Sequence, residues 1–203
     1  MQELQIKEQL KSAIQIYKKT KDKRAGEVVE HLNKILSTSE ARKTLLQYAT
    51  HIYPQYKDPA HIRLIAKNLE LLEKGEITRL AVFMPPRHGK SMLCSEFFPA
   101  WYLGNNPNEF VIQATYAQEL ADDFGRKVRN QIISPDFNNV FPHVGLRADS
   151  TSVKRFHTMQ GGTYSAVGAG GAITGRGAHL LIIDDPIKGR EDAESEVQRR
   201  NLI

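Results

Sequence analysis

The sequence predicts an α/β fold in which a mostly parallel central sheet is covered by helices. Three observations carry that expectation. The apolar run 80–84 stops at Pro85-Pro86 and is followed by Gly89-Lys90-Ser91 and a helical pattern. A second apolar run, 179–183, stops at Asp184-Asp185-Pro186. Between them, residues 110–115 are apolar enough for an interior strand and lead into a helical stripe of Leu120, Phe124, Val128 and Ile132. Short apolar runs cut off by loop residues and alternating with helical stretches are the pattern of strands joined by crossover helices.

The bulk composition narrows the class. With 203 residues the chain can hold one good core, or one domain with a helical annex. A hydrophobic content of 40% and a charged content of 25% are those of a folded globular protein rather than a disordered one. The net charge of +5 is compatible with a polyanion such as DNA without demanding one. A single cysteine, Cys94, excludes an internal disulfide and reads as core filling. The apolar runs are too short to span a membrane and the first residues are polar, so the expectation is a soluble intracellular protein with no membrane partner.

Taken in order, residues 2–19 carry Ile6, Leu10, Ile14 and Tyr17 as a helical stripe. The basic run Lys18-Lys19-Thr20-Lys21-Asp22-Lys23-Arg24 follows, either a solvated linker or a contact for nucleic acid. Val28, Leu32 and Ile35 mark a second helix closed by Ser37-Thr38-Ser39, which would cap a third over residues 40–50. Residues 1–50 thus read as an N-terminal helical annex, and residues 51–203 as the main domain. A helix over 60–74 carries Ile62, Ile65, Leu69 and Leu72 on one face, with Gly75 as its C-terminal cap. Nucleotide-dependent motors often grip adenine just before such a helix, which makes His61, Gln55 and the nearby tyrosines candidates; a plain structural role for His61 stays open. Residues 91–103 form the next helix, kinked or restarted at Pro99. Two short strands, 153–157 and 163–167, form a hairpin across Gly161-Gly162. A glycine-rich stretch then holds Arg176 between Gly175 and Gly177, either in solvent or offered to a phosphate. Residues 191–203 read as a charged helix.

The chemistry sits where the strands end. Backbone N–H groups at a helix N-terminus face an anion, and the helix dipole favours negative charge there. In that setting Lys90 reaches the β- and γ-phosphates of a nucleotide and the Ser91 hydroxyl sits on Mg²⁺. Met84 stands where the usual pattern has its leading glycine. Two carboxylates closing a second strand complete the set: Asp184 for the Mg²⁺ shell, Asp185 to orient or deprotonate the attacking water. The inserted strand 110–115 between the two halves points to the additional-strand class of phosphate-loop NTPases.

With those residues in view, the chain resembles the ATPase domain of the large terminase subunit of tailed bacteriophages. The matching stretches are Pro85-Pro86-Arg87-His88-Gly89-Lys90-Ser91, Ala114-Thr115-Tyr116, Thr174-Gly175-Arg176-Gly177-Ala178-His179 and Leu181-Ile182-Ile183-Asp184-Asp185-Pro186-Ile187-Lys188. A loop with Pro-Pro in place of the leading glycine is usual in that family. The resemblance implies an ATP- and Mg²⁺-dependent motor that forms a ring by self-association on the portal protein of a procapsid and pumps double-stranded DNA inside. A small terminase subunit would be a further partner, and the host cytoplasm the location. It implies that Pro86, Arg87, His88, Gly89, Lys90 and Ser91 surround the phosphates, with Arg87 on the γ-phosphate. Asp184 takes the metal and Arg176 becomes an arginine finger acting on a neighbouring subunit. Asp185 stands where many large terminases have a catalytic glutamate, one methylene longer. No strand follows the Asp184 run and no nuclease carboxylates are visible, so the chain reads as an ATPase portion without DNA-cutting activity. The alternatives are another additional-strand ATPase of helicase type and a fragment that binds nucleotide without turning it over.

Overall fold

The computed structural model describes residues 2–168, 170–171, 177–189 and 194–196. Four helices come first: α1 (Gln2–Thr20), α2 (Lys23–Lys43), α3 (Leu45–Ile52) and α4 (Ala60–Glu73). The sequence reading ends the second helix at Ser37-Thr38-Ser39, but α2 runs straight through them. The Ser37 and Thr38 hydroxyls donate back to the Lys34 carbonyl at 2.9 and 3.0 Å, so they are satisfied inside the helix instead of capping a new one. α4 closes as expected at Gly75. Its φ of +72° belongs to the left-handed region that glycine enters freely. The Gly75 and Glu76 amides donate to the Leu72 and Leu71 carbonyls, the paired bonds of a Schellman motif.

Beyond the loop that follows α4, the chain becomes helical again at Lys90. A π-helical stretch, Met92–Phe97, leads into α5 (Phe98–Asn105). The widened turns precede Pro99, whose ring would collide with a carbonyl one ordinary helical turn back, so α5 starts with the proline in its first turn. Then come β1 (Phe110–Thr115), α6 (Gln118–Ile132), α7 (Pro135–Val140), β2 (Leu146–Thr151), β3 (Arg155–Thr158), β4 (Thr163–Gly168) and β5 (Leu180–Ile183). The short α7, capped by the Ser134 hydroxyl on the Phe137 amide at 3.1 Å, and the polar strand β2 were not foreseen. Of the expected helix 191–203, all but residues 194–196 lies outside the described residues.

The five strands form one sheet in the order β2-β3-β4-β1-β5. β1 lies between β4 and β5 and is parallel to both. β3 runs antiparallel to both of its neighbours, β2 and β4. The sheet is therefore mixed, which corrects the expectation of a mostly parallel one. The four residues 159–162 between β3 and β4 cannot hold the crossover that parallel pairing needs, so these strands meet as the hairpin read from Gly161-Gly162.

A second correction concerns residues 80–84. Leu80, Val82 and Met84 are half-buried and Phe83 is 93% exposed, yet these residues belong to no strand ladder among the described residues. Two-residue alternation survives; hydrogen-bonded partners do not. A cleft lined by Leu80, Val82, Phe83 and Ile183 separates this segment from β5.

The core lies between the helices and the sheet face that carries Val111, Gln113, Phe156, Tyr164 and Leu180. Phe156 and Tyr164, register partners on β3 and β4, stack at 4.8 Å between centroids. The Tyr164 hydroxyl donates to Gln113 Oε1 at 2.9 Å inside the apolar layer, while the buried Gln113 Nε2 finds no partner among the described residues. Tyr48 of α3, fully buried, meets Phe97 and Phe137 edge-on. α2 is fastened to α5 by the Trp101 indole N–H, which donates to the Ala41 and Arg42 carbonyls. No described helix is long and apolar enough to cross a membrane.

Candidate active site

Three pieces of chain converge at the C-terminal end of β5. The first is the loop 85–89. Gly89 has φ +88°, and a side chain there would press on Ile62 of α4 at 3.3 Å, so glycine lets the loop pack on the start of α4 while it turns into the next helix. Arg87 also adopts a left-handed backbone, φ +63°, which is costly for a residue with a side chain. The His88 imidazole donates from Nδ1 to the Pro86 carbonyl at 2.8 Å, closing the turn; a carbonyl can only accept, which sets the tautomer.

The second piece is the helical start at Lys90. Its ammonium reaches Asp184 Oδ1 at 2.9 Å and Asp185 Oδ1 at 2.7 Å. Lys90 and Asp185 lie 95 residues apart in the chain, and their meeting is the central geometric fact of the site. Partial burial pulls the Lys90 ammonium toward deprotonation, but the two carboxylates outweigh it and hold the pKa above its ordinary value.

The third piece is the end of β5. Asp184 is 5% exposed, and its amide donates to the Ala114 carbonyl of β1 at 3.0 Å, so its backbone is set by the sheet. The Ser95 hydroxyl donates to Asp184 Oδ2 at 2.8 Å, a buried bond. Both carboxylate oxygens of Asp184 are thus engaged, one by Lys90 and one by Ser95. Asp185 differs: its side chain is 63% exposed and its backbone is left-handed, φ +46°. The two neighbouring carboxylates therefore stand in different surroundings, Asp184 buried and held from two sides, Asp185 mostly in solvent and held by Lys90 alone among the described residues.

A cleft of about 390 Å³ runs along the loop, lined by Pro86, Arg87, His88, Gly89, Ser91 and Asp185 among others. The structure so brings together the predicted Pro86, Arg87, His88, Gly89, Lys90, Ser91 and Asp185, with Asp184 reached through Lys90. His61, exposed at the start of α4, lies with its ring centroid 6.0 Å from that of His88. Gln55 is exposed, and Tyr56 instead packs edge-on against Phe97 at 5.2 Å. Arg176 lies outside the described residues.

Ser95 was missed by sequence reasoning. A serine inside an apolar helix carries no motif; only the wide turns of Met92–Phe97 and the return of β5 bring its hydroxyl to Asp184. His179, part of a quoted motif, is structural. Its Nδ1 accepts from the Phe110 amide and its own amide donates to the Phe110 carbonyl, both at 2.9 Å, which sets the start of β5 against β1.

Cys94, next to Ser95, packs against the core as expected. Burial, with the Asp184 charge adding to it, pushes its thiol up to about 12. The thiolate fraction at pH 8 then lies about a thousandfold below that of an ordinary cysteine. Alkylation with iodoacetamide, followed by mass spectrometry of the native protein, is expected to be slow. Its rate should keep rising with pH well beyond 9, the ordinary thiol value, without a plateau there.

Comparison with known proteins adds one finding. Residues 82–203 match the family described as terminase large subunit, T4-like-virus type, N-terminal. The match takes in the loop, Lys90, β1 and the Asp184-Asp185 pair, and leaves out the first three helices and α4. No curated protein and no solved structure matches the chain. The match spans more than half of the sequence, and the chain belongs to the N-terminal family of T4-like terminase large subunits, proteins with a role in phage DNA packaging.

Proposed function

We propose that this chain is the ATPase portion of a viral DNA-packaging motor, built on the additional-strand class of phosphate-loop NTPase fold. It would hydrolyse ATP with Mg²⁺ to move double-stranded DNA into a procapsid. The observation that carries this reading is the meeting of Lys90 with Asp184 and Asp185 at the head of a helix, beside a cleft lined by the loop. The residues fit a divalent ion. The two carboxylates already balance a cation, and Ser91 opens the same helix. One or two carboxylates plus a hydroxyl and phosphate oxygens make an ordinary Mg²⁺ site. Asp184 and Ser91 would hold the ion, and when bound it supplies neutralisation of the β- and γ-phosphate charge.

The remaining residues take their roles on the same reading. The amides around Gly89 and the first helical turn face the phosphates. Lys90 exchanges Asp185 for a phosphate oxygen, a trade of one anion for another that leaves its charge compensated. The exchange frees the exposed Asp185 carboxylate to accept a proton from the attacking water, while Ser95 keeps Asp184 oriented. Arg87, on its left-handed turn beside the cleft, contacts the γ-phosphate, with Pro86 and His88 shaping the same turn. His61, exposed beside His88, would be the contact for adenine. Arg176 acts as a finger from a neighbouring subunit, so the motor works as a ring on the portal, with a small terminase subunit as a further partner and the host cytoplasm as the place of action.

The test is steady-state ATP hydrolysis and nucleotide binding by wild type and Asp185→Asn. Loss of the base is expected to lower turnover by about 10²–10⁴-fold with nucleotide affinity kept. Unchanged turnover in the variant removes Asp185 from the chemistry, and failure of the wild type to bind nucleotide overturns the site.

A further inference from the structure

The basic run 18–24 has two meanings in the sequence, a linker or a nucleic-acid contact, and the structure removes the first. α1 continues to Thr20 and α2 begins at Lys23, so the cations sit at the tip of a helical hairpin joined by Lys21 and Asp22 alone. The tip is defined. Lys21 takes a left-handed backbone, φ +53°, its amide donates to the Tyr17 carbonyl at 2.9 Å, and its ammonium lies 5.6 Å from the Tyr17 ring centroid. Asp22, the one carboxylate of the segment, caps α2 by accepting from the Arg24 amide at 2.9 Å.

The opposite end of the hairpin is fastened to the body. Ala41 is fully buried and, with Arg42, accepts from the Trp101 indole of α5, while the cations at this end, Lys7 and Lys43, are paired with Glu3 inside the hairpin, with Glu40 near Lys7. Lys18, Lys19, Lys21, Lys23 and Arg24 are all exposed and have no carboxylate partner among the described residues. From Ala41 back to Lys23 the helix rises about 27 Å. Five uncompensated cations therefore stand well out from the domain on a helical arm. Residues 1–50 carry ten Lys and Arg against six Asp and Glu, so +4 of the chain's +5 belongs to this part.

A partner for such a tip must offer closely spaced negative charge. Duplex DNA offers one phosphate charge per about 1.7 Å of axis, and releasing its condensed counterions drives binding. Unpaired bases would need an aromatic platform. Tyr17, the one ring at the tip, is already occupied by Lys21 and by the backbone of Gly26, where an added Cβ would stand only 3.0 Å from the ring edge. Resting on the packaging role of the family, we propose that the tip of the α1–α2 hairpin binds the phosphate backbone of double-stranded DNA, without base readout.

The test is fluorescence anisotropy of a labelled random-sequence duplex with the 203-residue chain, over about 50 to 200 mM salt. The variant combines Lys18→Gln, Lys19→Gln, Lys23→Gln and Arg24→Gln, and keeps Lys21 and Asp22 so that the turn and its cap remain. Far-UV circular dichroism checks that the helices persist, and nucleotide binding at Lys90 is read in parallel. The proposal expects at least tenfold weaker binding at low salt. The slope of log affinity against log salt should become shallower by about 0.9 for each phosphate the variant no longer neutralises, and so by about 2 or more in all. A folded variant that binds DNA like wild type overturns the proposal and leaves DNA handling to another surface. A wild-type chain that binds no duplex overturns it as well. Loss of nucleotide binding with the tip effect intact would instead strike the ATPase reading alone.

Discussion

Lys90→Ala is expected to abolish nucleotide binding and hydrolysis together, and also to destabilise the chain without nucleotide. Two roles of one ammonium produce the two effects. In the proposed complex it is the positive charge at the phosphates, with no other cation in the described loop except Arg87. In the structure it neutralises Asp184, whose side chain is 6% exposed. Removing one partner of a buried ion pair leaves the other uncompensated, which costs about 3–5 kcal/mol when both are deeply buried. Lys90 retains 24% exposure and Asp185 is mostly in water, so solvent screens much of this and a loss of about 1–2 kcal/mol is expected. For a chain of this size that corresponds to a fall in Tm of about 2–8 °C. Calorimetry of the two proteins without nucleotide, followed by isothermal titration with ATP, reads both effects. A variant that keeps wild-type ATP affinity would show that Lys90 is only a structural counter-ion. Asp184→Asn in the Lys90→Ala background should recover much of the lost Tm, because the buried charge is gone.

The largest effect on rate is expected at Arg176. Removing an arginine finger lowers turnover by about 10³–10⁵-fold while nucleotide binding at the same subunit persists. In the sequence it stands between Gly175 and Gly177, and the resemblance to large terminases is what gives it the proposed finger role. The trans arrangement has a distinctive signature. Arg176→Ala keeps an intact Lys90 site but offers no finger; Lys90→Ala offers the finger but has no working site. Each alone is expected to be inactive, and mixing them is expected to restore measurable hydrolysis that rises steeply with protein concentration. Inactive mixtures of two assembled variants, with active wild type under the same conditions, would place the finger in cis or remove it.

The hairpin, the loop and the acidic pair differ in how far they could be read from residues alone. Gly89-Lys90-Ser91 after an apolar run and Asp184-Asp185-Pro186 after another are local signals: a stretch of one periodicity, stopped by residues that cannot continue it. The same holds for β1, for the apolar stripe of α6 and for the turn that joins β3 to β4. These were legible because side-chain period and chain punctuation act within one element. The end of α2 was not, because Ser37 and Thr38 satisfy a cap and a helix interior equally well by hydrogen bonding, and the choice falls to packing against α5 and α7. β2 escaped because Arg147, Asp149 and Ser150 make it polar, which an edge strand tolerates with one neighbour.

What the sequence by itself determined was most of the helices, the strands β1, β4 and β5, and the chemical identity of the groups at their ends: a lysine and a hydroxyl opening a helix, two carboxylates closing a strand, five cations between two helical stripes. What only the tertiary structure decided was which ends meet. Strand order, the mixed sheet, the run 80–84 left without a ladder partner among the described residues, the Ser95 bond to Asp184 and the reach of Lys90 to both carboxylates all depend on contacts between distant parts of the chain. The physical reason is that backbone hydrogen bonds and ion pairs are satisfied by whichever partner the packed core brings within about 3 Å, and no local period encodes that partner's number.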